Sequence, residues 1–143
     1  MENVHAGWRR KLMKYIADTV DFQLEEPTVV TLGKFDGLHR GHQKLIERIR
    51  SYAGNDCVSV VCAFDMQRNC LMTKEERKKL LAGKVDYLID YPFTGDLMTM
   101  EAERFIQKIL YEKLHAAHIV VGSDFSFGYR KRGDHQMLER YAQ

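Results

Sequence analysis

The feature that most constrains this chain is a unit near its start. A β-branched run, Thr28-Val29-Val30-Thr31-Leu32-Gly33, gives way to a glycine-bearing loop and then to an amphipathic stretch. The run reads as a buried strand entering a turn. From Gly41 to Ala53 the apolar residues Leu45, Ile46 and Ile49 fall at helical spacing among Lys44, Glu47, Arg48 and Arg50, and Gly54 stands where a left-handed cap is expected.

The unit then recurs. Cys57 to Phe64 is an apolar strand, Thr73 with Glu76 makes a capping box opening a short helix to about Leu81, and Asp86 to Tyr91 is a third strand. Ala102, Phe105, Ile106, Ile109, Leu110 and Leu114 form an apolar stripe between Met100 and Leu114, His118 to Gly122 returns as a strand, and a last helix opens near Asp134. Strands alternating with helices pair in parallel through right-handed crossovers, so the expected fold is a Rossmann-like, doubly wound α/β sheet. The 143 residues make one domain that buries roughly two-thirds of its unfolded surface. No linker, internal repeat or second domain is visible.

Composition narrows the partners. With 22 basic and 20 acidic residues the formal charge is +2, so no global field draws the chain to nucleic acid or an anionic membrane, and any phosphate binding must be local. The longest apolar run, Val60 to Phe64, is far short of the roughly 20 residues that span a bilayer, and no signal peptide is evident; a cytoplasmic protein is expected. Cys57, Cys62 and Cys70 are odd in number and lack metal-knuckle spacing, so reduced, mostly buried thiols are expected.

The chemistry is concentrated in the loop after the first strand, Gly33-Lys34-Phe35-Asp36-Gly37-Leu38-His39-Arg40-Gly41-His42. It places two imidazoles at a helix N-terminus, where unpaired N–H groups and a partial positive charge attract phosphate. Gly37 and Gly41 allow a phosphate to approach the backbone, and His39 and His42 can donate to the same anion. The spacing is neither that of a P-loop nor that of a dinucleotide loop. In open α/β sheets ligands gather at the carboxyl ends of the strands, where this loop lies.

The pattern G-x-F-D-G-x-H-x-G-H resembles the N-terminal domain of bifunctional riboflavin kinase/FAD synthetases, a branch of the H-x-G-H nucleotidyltransferases. Asp86-Tyr87, Pro92-Phe93-Thr94, the run Val120 to Gly128 and Arg132-Gly133-Asp134 resemble family landmarks in family order. The resemblance covers roughly residues 13 to 143. It implies FMN adenylyltransfer: an FMN phosphate oxygen attacks the α-phosphorus of ATP, giving FAD and magnesium pyrophosphate, with Mg²⁺ accompanying ATP. His39 and His42 are the implied catalytic residues, and Gly33, Phe35, Asp36, Gly37, Gly41, Gly122 and Asp124 the nucleotide-binding set. Asp36 has two readings, as a loop holder or as a nucleotide contact. The Gly122 to Gly128 segment also has two: a turn whose Phe125 and Phe127 plug the core, or a border of the nucleotide. Asp65, Phe125, Phe127 and Arg132 are the candidates for flavin contact, although Arg130-Lys131-Arg132 reads more simply as a solvated loop. His115 and His118 lie at a helix end, where cations are favoured, and read as structural.

Two departures stand against the resemblance. The family's Thr-Phe-x-Pro-His-Pro is replaced by Ala63-Phe64-Asp65-Met66-Gln67-Arg68, which lacks the prolines that would fix this loop. The family's second motif, a Ser/Thr-rich stretch with an arginine, has no match after Gly128, and neither does its riboflavin kinase domain. Residues 1–12 are expected to be an extension and 13–143 a nucleotidyltransferase domain incomplete at its C-terminus. The chain then reads as a piece of a longer protein, with a riboflavin kinase domain as its partner there, or as a reduced homologue. Its function is FMN adenylyltransfer, a non-catalytic nucleotide- or flavin-binding role, or transfer to another phosphate acceptor.

Overall fold

The structure, a computed structural model, describes residues 13–33, 35, 40–54, 56–65, 73–122 and 125–141, with backbone alone at Arg40, Asp65 and Ser126. Five parallel strands form one sheet: β1 (Lys14–Ala17), β2 (Thr28–Gly33), β3 (Val58–Asp65), β4 (Tyr87–Pro92) and β5 (Ala116–Val120), in the order β1-β4-β3-β2-β5. Helix α1 (Arg40–Tyr52) joins β2 to β3 and α2 (Lys74–Leu81) joins β3 to β4. The connection to β5 holds α3 (Gly95–Met98) and α4 (Ala102–Arg104), which runs straight into a π-helical segment, Phe105–Lys113. Beyond β5 lie a small antiparallel ribbon, β6 (Ser126–Phe127) with β7 (Gly133–Asp134), and α5 (His135–Tyr141).

The expected doubly wound parallel sheet is what forms. Every residue of β2 except Gly33 is buried, as a central strand covered on both faces requires. Alternate side chains then divide two cores. Val29, Val61, Ala63 and Leu88 pack against Ile46, Ile49 and Leu81 of α1 and α2. Val30, Leu32, Val60, Cys62, Ile89 and Tyr91 pack against Phe105, Ile109, Leu110 and Leu114. Chains that step from β2 to β3 to β4 and then reverse to β5 must cover opposite faces if each crossover is right-handed.

The capping box is present: Glu76 N–H donates to Thr73 Oγ1 at 3.0 Å and Thr73 N–H to Glu76 Oε1 at 3.2 Å. Asp86 and Ser59 lock β4 to β3 reciprocally, Ser59 N–H donating to Asp86 Oδ2 and Asp86 N–H to Ser59 Oγ, each at 2.9 Å. The helix expected between Met100 and Leu114 starts at Ala102 and is π-helical from Phe105, closed by Leu114 N–H on the Ile109 carbonyl at 2.9 Å. Its buried residues recur at four and five positions, a spacing that both helix types satisfy. Strand β5 begins two residues earlier than expected, so His118 lies within a strand with its ring stacked on Tyr52 at 5.2 Å, not at a helix end. His115 does follow the helix; its Nδ1 is 2.9 Å from the Glu25 carbonyl.

Cys62 is fully buried, and that burial pushes its thiol well above the ordinary range, leaving it inert; Cys57 is half-buried and also free. Cys70 lies outside the described residues. Among the described residues no helix is long and apolar enough to cross a membrane.

Candidate functional site

Strand β2 points its carboxyl end at the first turn of α1, and the chain reverses direction in the sheet between β2 and β5. This is the switch point at which open α/β sheets hold ligands. A cavity of about 990 Å³ opens there. Gly33, Gly41, His42 and Lys44 line one part of it, Gly122 comes from the end of β5, and Arg130 and Lys131 face it from the turn between β6 and β7. The rest of its wall is largely aromatic: Phe64 from the end of β3, Phe93 from the end of β4, Phe105, Phe125 and Phe127.

Each wall residue is held by a local device. Thr94 Oγ1 accepts from Leu97 N–H at 3.5 Å, capping the short helix that presents Leu97 and Met98 to the cavity. Phe105 and Phe127 are buried, with centroids 5.0 Å apart, and Phe125 stacks on Phe127 at 5.8 Å. Gly128 makes the ribbon's close approach possible: it has φ +80°, and a Cβ there would lie 2.7 Å from the Ala102 Cα. Tyr129 N–H donates to the Met100 carbonyl at 2.6 Å on the same contact. Arg130 and Lys131 both have φ +55°, so two consecutive non-glycine residues sit in the left-handed region beside the cavity.

Phe35 is strained in the same way. It has φ +49° and is fully buried, its ring tilted against His42 with centroids 4.7 Å apart. Its carbonyl accepts from Arg77 Nη1 at 3.4 Å. Arg77 and Asp90 form a buried ion pair, Nη2 to Oδ1 at 3.1 Å, with side chains 6% and 0% exposed. Tyr15 completes the group by donating its hydroxyl to Asp90 Oδ2; burial first, then this bond and the Asp90 charge, push the phenol's ionisation upward. Tyr91, on the other face, is pushed up to about 12 by burial and then by Cys62.

Of the residues expected from the sequence, Gly33, Gly41, His42, Gly122, Phe125 and Phe127 come together on the cavity. Phe35 lies beneath it, in the core. Asp36, Gly37, His39 and Asp124, and the side chain of Asp65, lie outside the described residues. Arg132 is exposed and is not among the lining residues, whereas its neighbours Arg130 and Lys131 line the wall. Lys44, Phe64, Phe93 and Phe105 were not expected. Their signal was positional, since Phe64 and Phe93 lie at the carboxyl ends of two strands and Lys44 lies two positions beyond the motif. Among the described residues no three imidazole, thiol or carboxylate groups converge as a metal cage.

A helix N-terminus at the switch point of a parallel sheet, beside a cavity walled in part by aromatic rings, gives the Rossmann-like α/β fold of the nucleotidyltransferase type. The chain belongs to the FAD synthetase family, whose model matches residues 21–143. It is similar to the bifunctional riboflavin kinase/FMN adenylyltransferase of Buchnera aphidicola subsp. Acyrthosiphon pisum, 30% identical over 130 residues that make up 82% of this chain and 42% of that protein. The protein of the same name from Pseudomonas fluorescens is 35% identical over 122 residues, 78% of this chain and 39% of its own length. A solved structure named as a macrolide-efflux protein from Streptococcus pneumoniae aligns with TM-score 0.77 and 26% identity, over 90% of this chain and 47% of that one. The chain thus spans about two-fifths of the length of the relatives it matches.

Proposed function

We propose that this domain transfers the AMP portion of ATP to FMN. One observation carries the reading: a single cavity joins a phosphate-attracting end, with Gly41, His42, Lys44, Arg130 and Lys131, to a wall of phenylalanine rings. A substrate pair that brings phosphates together with two flat ring systems suits both parts. A volume of about 990 Å³ lies at the upper end of the range for small-molecule sites.

The reaction needs alignment more than covalent help. An FMN phosphate oxygen forms a bond to the α-phosphorus of ATP while the bond from that phosphorus to the bridging oxygen breaks, and pyrophosphate leaves with the electron pair. His42 and the N–H groups at the start of α1 hold the triphosphate and offset charge that builds on the leaving group. Lys44, Arg130 and Lys131 supply positive charge across the cavity, and Arg132, the candidate for flavin contact, lies next to two of them in the chain. His39, Asp36, Gly37 and Asp124 join the nucleotide side of this proposal through their places in the sequence pattern, and Asp65 joins the flavin side. Mg²⁺ would arrive on the phosphates, which it prefers to an all-protein cage. The enzyme would work in the cytoplasm beside a riboflavin kinase domain, the activity that supplies FMN and is paired with this one in the names of the relatives.

Calorimetric titration with ATP–Mg²⁺ and with FMN, together with chromatographic detection of FAD from both, tests the proposal. Binding of both with FAD formation is the expected result. Binding of ATP without any FAD would leave a nucleotide-binding module in place of an enzyme.

A further inference from the structure

The buried ion pair is not required by the chemistry at the cavity, yet it touches the phosphate loop. Arg77 enters from α2 and Asp90 from β4, on the face of the sheet opposite the π-helical segment. A buried pair of this kind adds little net stability compared with apolar residues of the same volume, because desolvating both charges offsets their attraction. What the pair does here is orient a fork. With one end held by Asp90, the guanidinium directs Nη1 at the carbonyl of Phe35. That carbonyl belongs to a residue with φ +49°, a conformation that a bulky side chain adopts only when its surroundings impose it. The Phe35 ring in turn rests on His42 in the first turn of α1.

We propose that Arg77 is a positioning residue for the phosphate loop: oriented by Asp90 and Tyr15, it holds the Phe35 carbonyl in its left-handed conformation and thereby sets the seat of the His42 ring. The consequence for ligand binding rests on the nucleotide reading given above. A planar fork with several donors suits this task, since it serves a carboxylate and a carbonyl at once, whereas an ammonium is a point charge. Tyr15 contributes from β1 by holding Asp90, so side chains of three separate elements, β1, β4 and α2, form the chain of contacts that ends at the Phe35 carbonyl.

The test uses the whole chain and a variant that removes the fork without leaving a buried charge, Arg77→Met with Asp90→Leu. Three quantities are measured: the thermal midpoint, amide hydrogen exchange over residues 33–42 without nucleotide, and the dissociation constant for ATP–Mg²⁺. The expected result is a cooperative melt, faster exchange in that segment with the rest of the sheet unchanged, and ATP affinity weaker by roughly tenfold, the scale of one hydrogen bond to a charged group. Parent-like exchange over 33–42 in the folded variant would overturn the proposal, and so would lost protection with unchanged ATP affinity. If the parent chain binds no ATP, the nucleotide reading fails by itself, and the exchange result still decides the role of Arg77. Should the double variant not fold, Arg77→Lys takes its place: it keeps the charge beside Asp90 but loses the fork, and faster exchange supports the proposal while parent-like exchange overturns it.

Discussion

The two faces of the sheet are built on different terms. On the face covered by α1 and α2 the packing is closed, and the described charges within it, Arg77 and Asp90, meet each other and the loop. On the face covered by the π-helical segment the packing stops short of the strand ends, and the aromatic rings there line an open cavity. Phe64, Phe93 and Phe125 are only partly buried, although apolar side chains of this size are worth about 1.5–3 kcal/mol each when fully covered. The difference teaches a division of labour. The closed face fixes backbone, and the open face leaves ring surface for a ligand to cover.

The largest effect should come from breaking the closed face. Arg77→Ala alone leaves the buried Asp90 carboxyl without its partner, which costs about 3–5 kcal/mol. Chemical denaturation should show the midpoint falling accordingly; a loss below about 1 kcal/mol would mean that Asp90 finds water or another partner. Next comes the open face. Gly128→Ala requires φ +80° of a residue with a Cβ and places that Cβ 2.7 Å from the Ala102 Cα. A loss well above about 1 kcal/mol is expected, with weakened FMN binding because the ribbon carrying Phe125 and Phe127 docks through this contact. Unchanged melting and FMN affinity would show that the ribbon can shift freely.

His42 lies where the two faces meet. His42→Ala should leave the thermal midpoint nearly unchanged and weaken ATP–Mg²⁺ binding by roughly tenfold or more, as loss of a hydrogen bond to a charged group costs about 1.5–3 kcal/mol. Equal ATP affinity in parent and variant would remove His42 from the site.

The same contrast explains what the sequence revealed. The open face was largely legible: the strand, the H-x-G-H loop and the aromatic run after β5 follow one another in the chain, and the switch-point rule brings them together. The closed face was not. Arg77 sits within Lys74-Glu75-Glu76-Arg77-Lys78-Lys79, which reads as a solvated helix surface, and its partner is thirteen positions away on another element. Two clues existed. Arg77 is four residues before buried Leu81, hence on the same helix face, and Asp90 interrupts the apolar run Tyr87-Leu88-Ile89 at a position buried in the sheet. Strand β1 went unnoticed because its four residues at the sheet edge carry a weak alternation, and its existence depends on pairing with β4. The π-helical winding was invisible because the apolar spacing fits either helix.

The smallest expected effect is titration at high pH, and it reads both faces at once. Tyr15 on the closed face and Cys62 and Tyr91 on the open one are all held in their neutral forms, chiefly by burial. For each, the folded chain keeps its proton to a higher pH than the unfolded chain does. Once pH passes the unfolded value the unfolded state loses protons first, so it binds fewer protons than the native state and stability falls with rising pH. The contribution is fully present below the unfolded values, about 8.5 for a thiol and about 10 for a phenol. For Tyr91 it is lost between about pH 10 and the folded value of about 12. By about pH 10.5 the loss from Tyr91 alone should be on the order of 1 kcal/mol. Denaturant midpoints measured from neutral pH upward should therefore stay level and then fall above about pH 9. In Tyr15→Phe the Asp90 carboxylate loses one donor and the closed-face phenol is gone, so the starting stability is lower and the alkaline decline shallower. A decline of the same steepness in parent and variant would assign the whole effect to Cys62 and Tyr91, and hence to the open face alone.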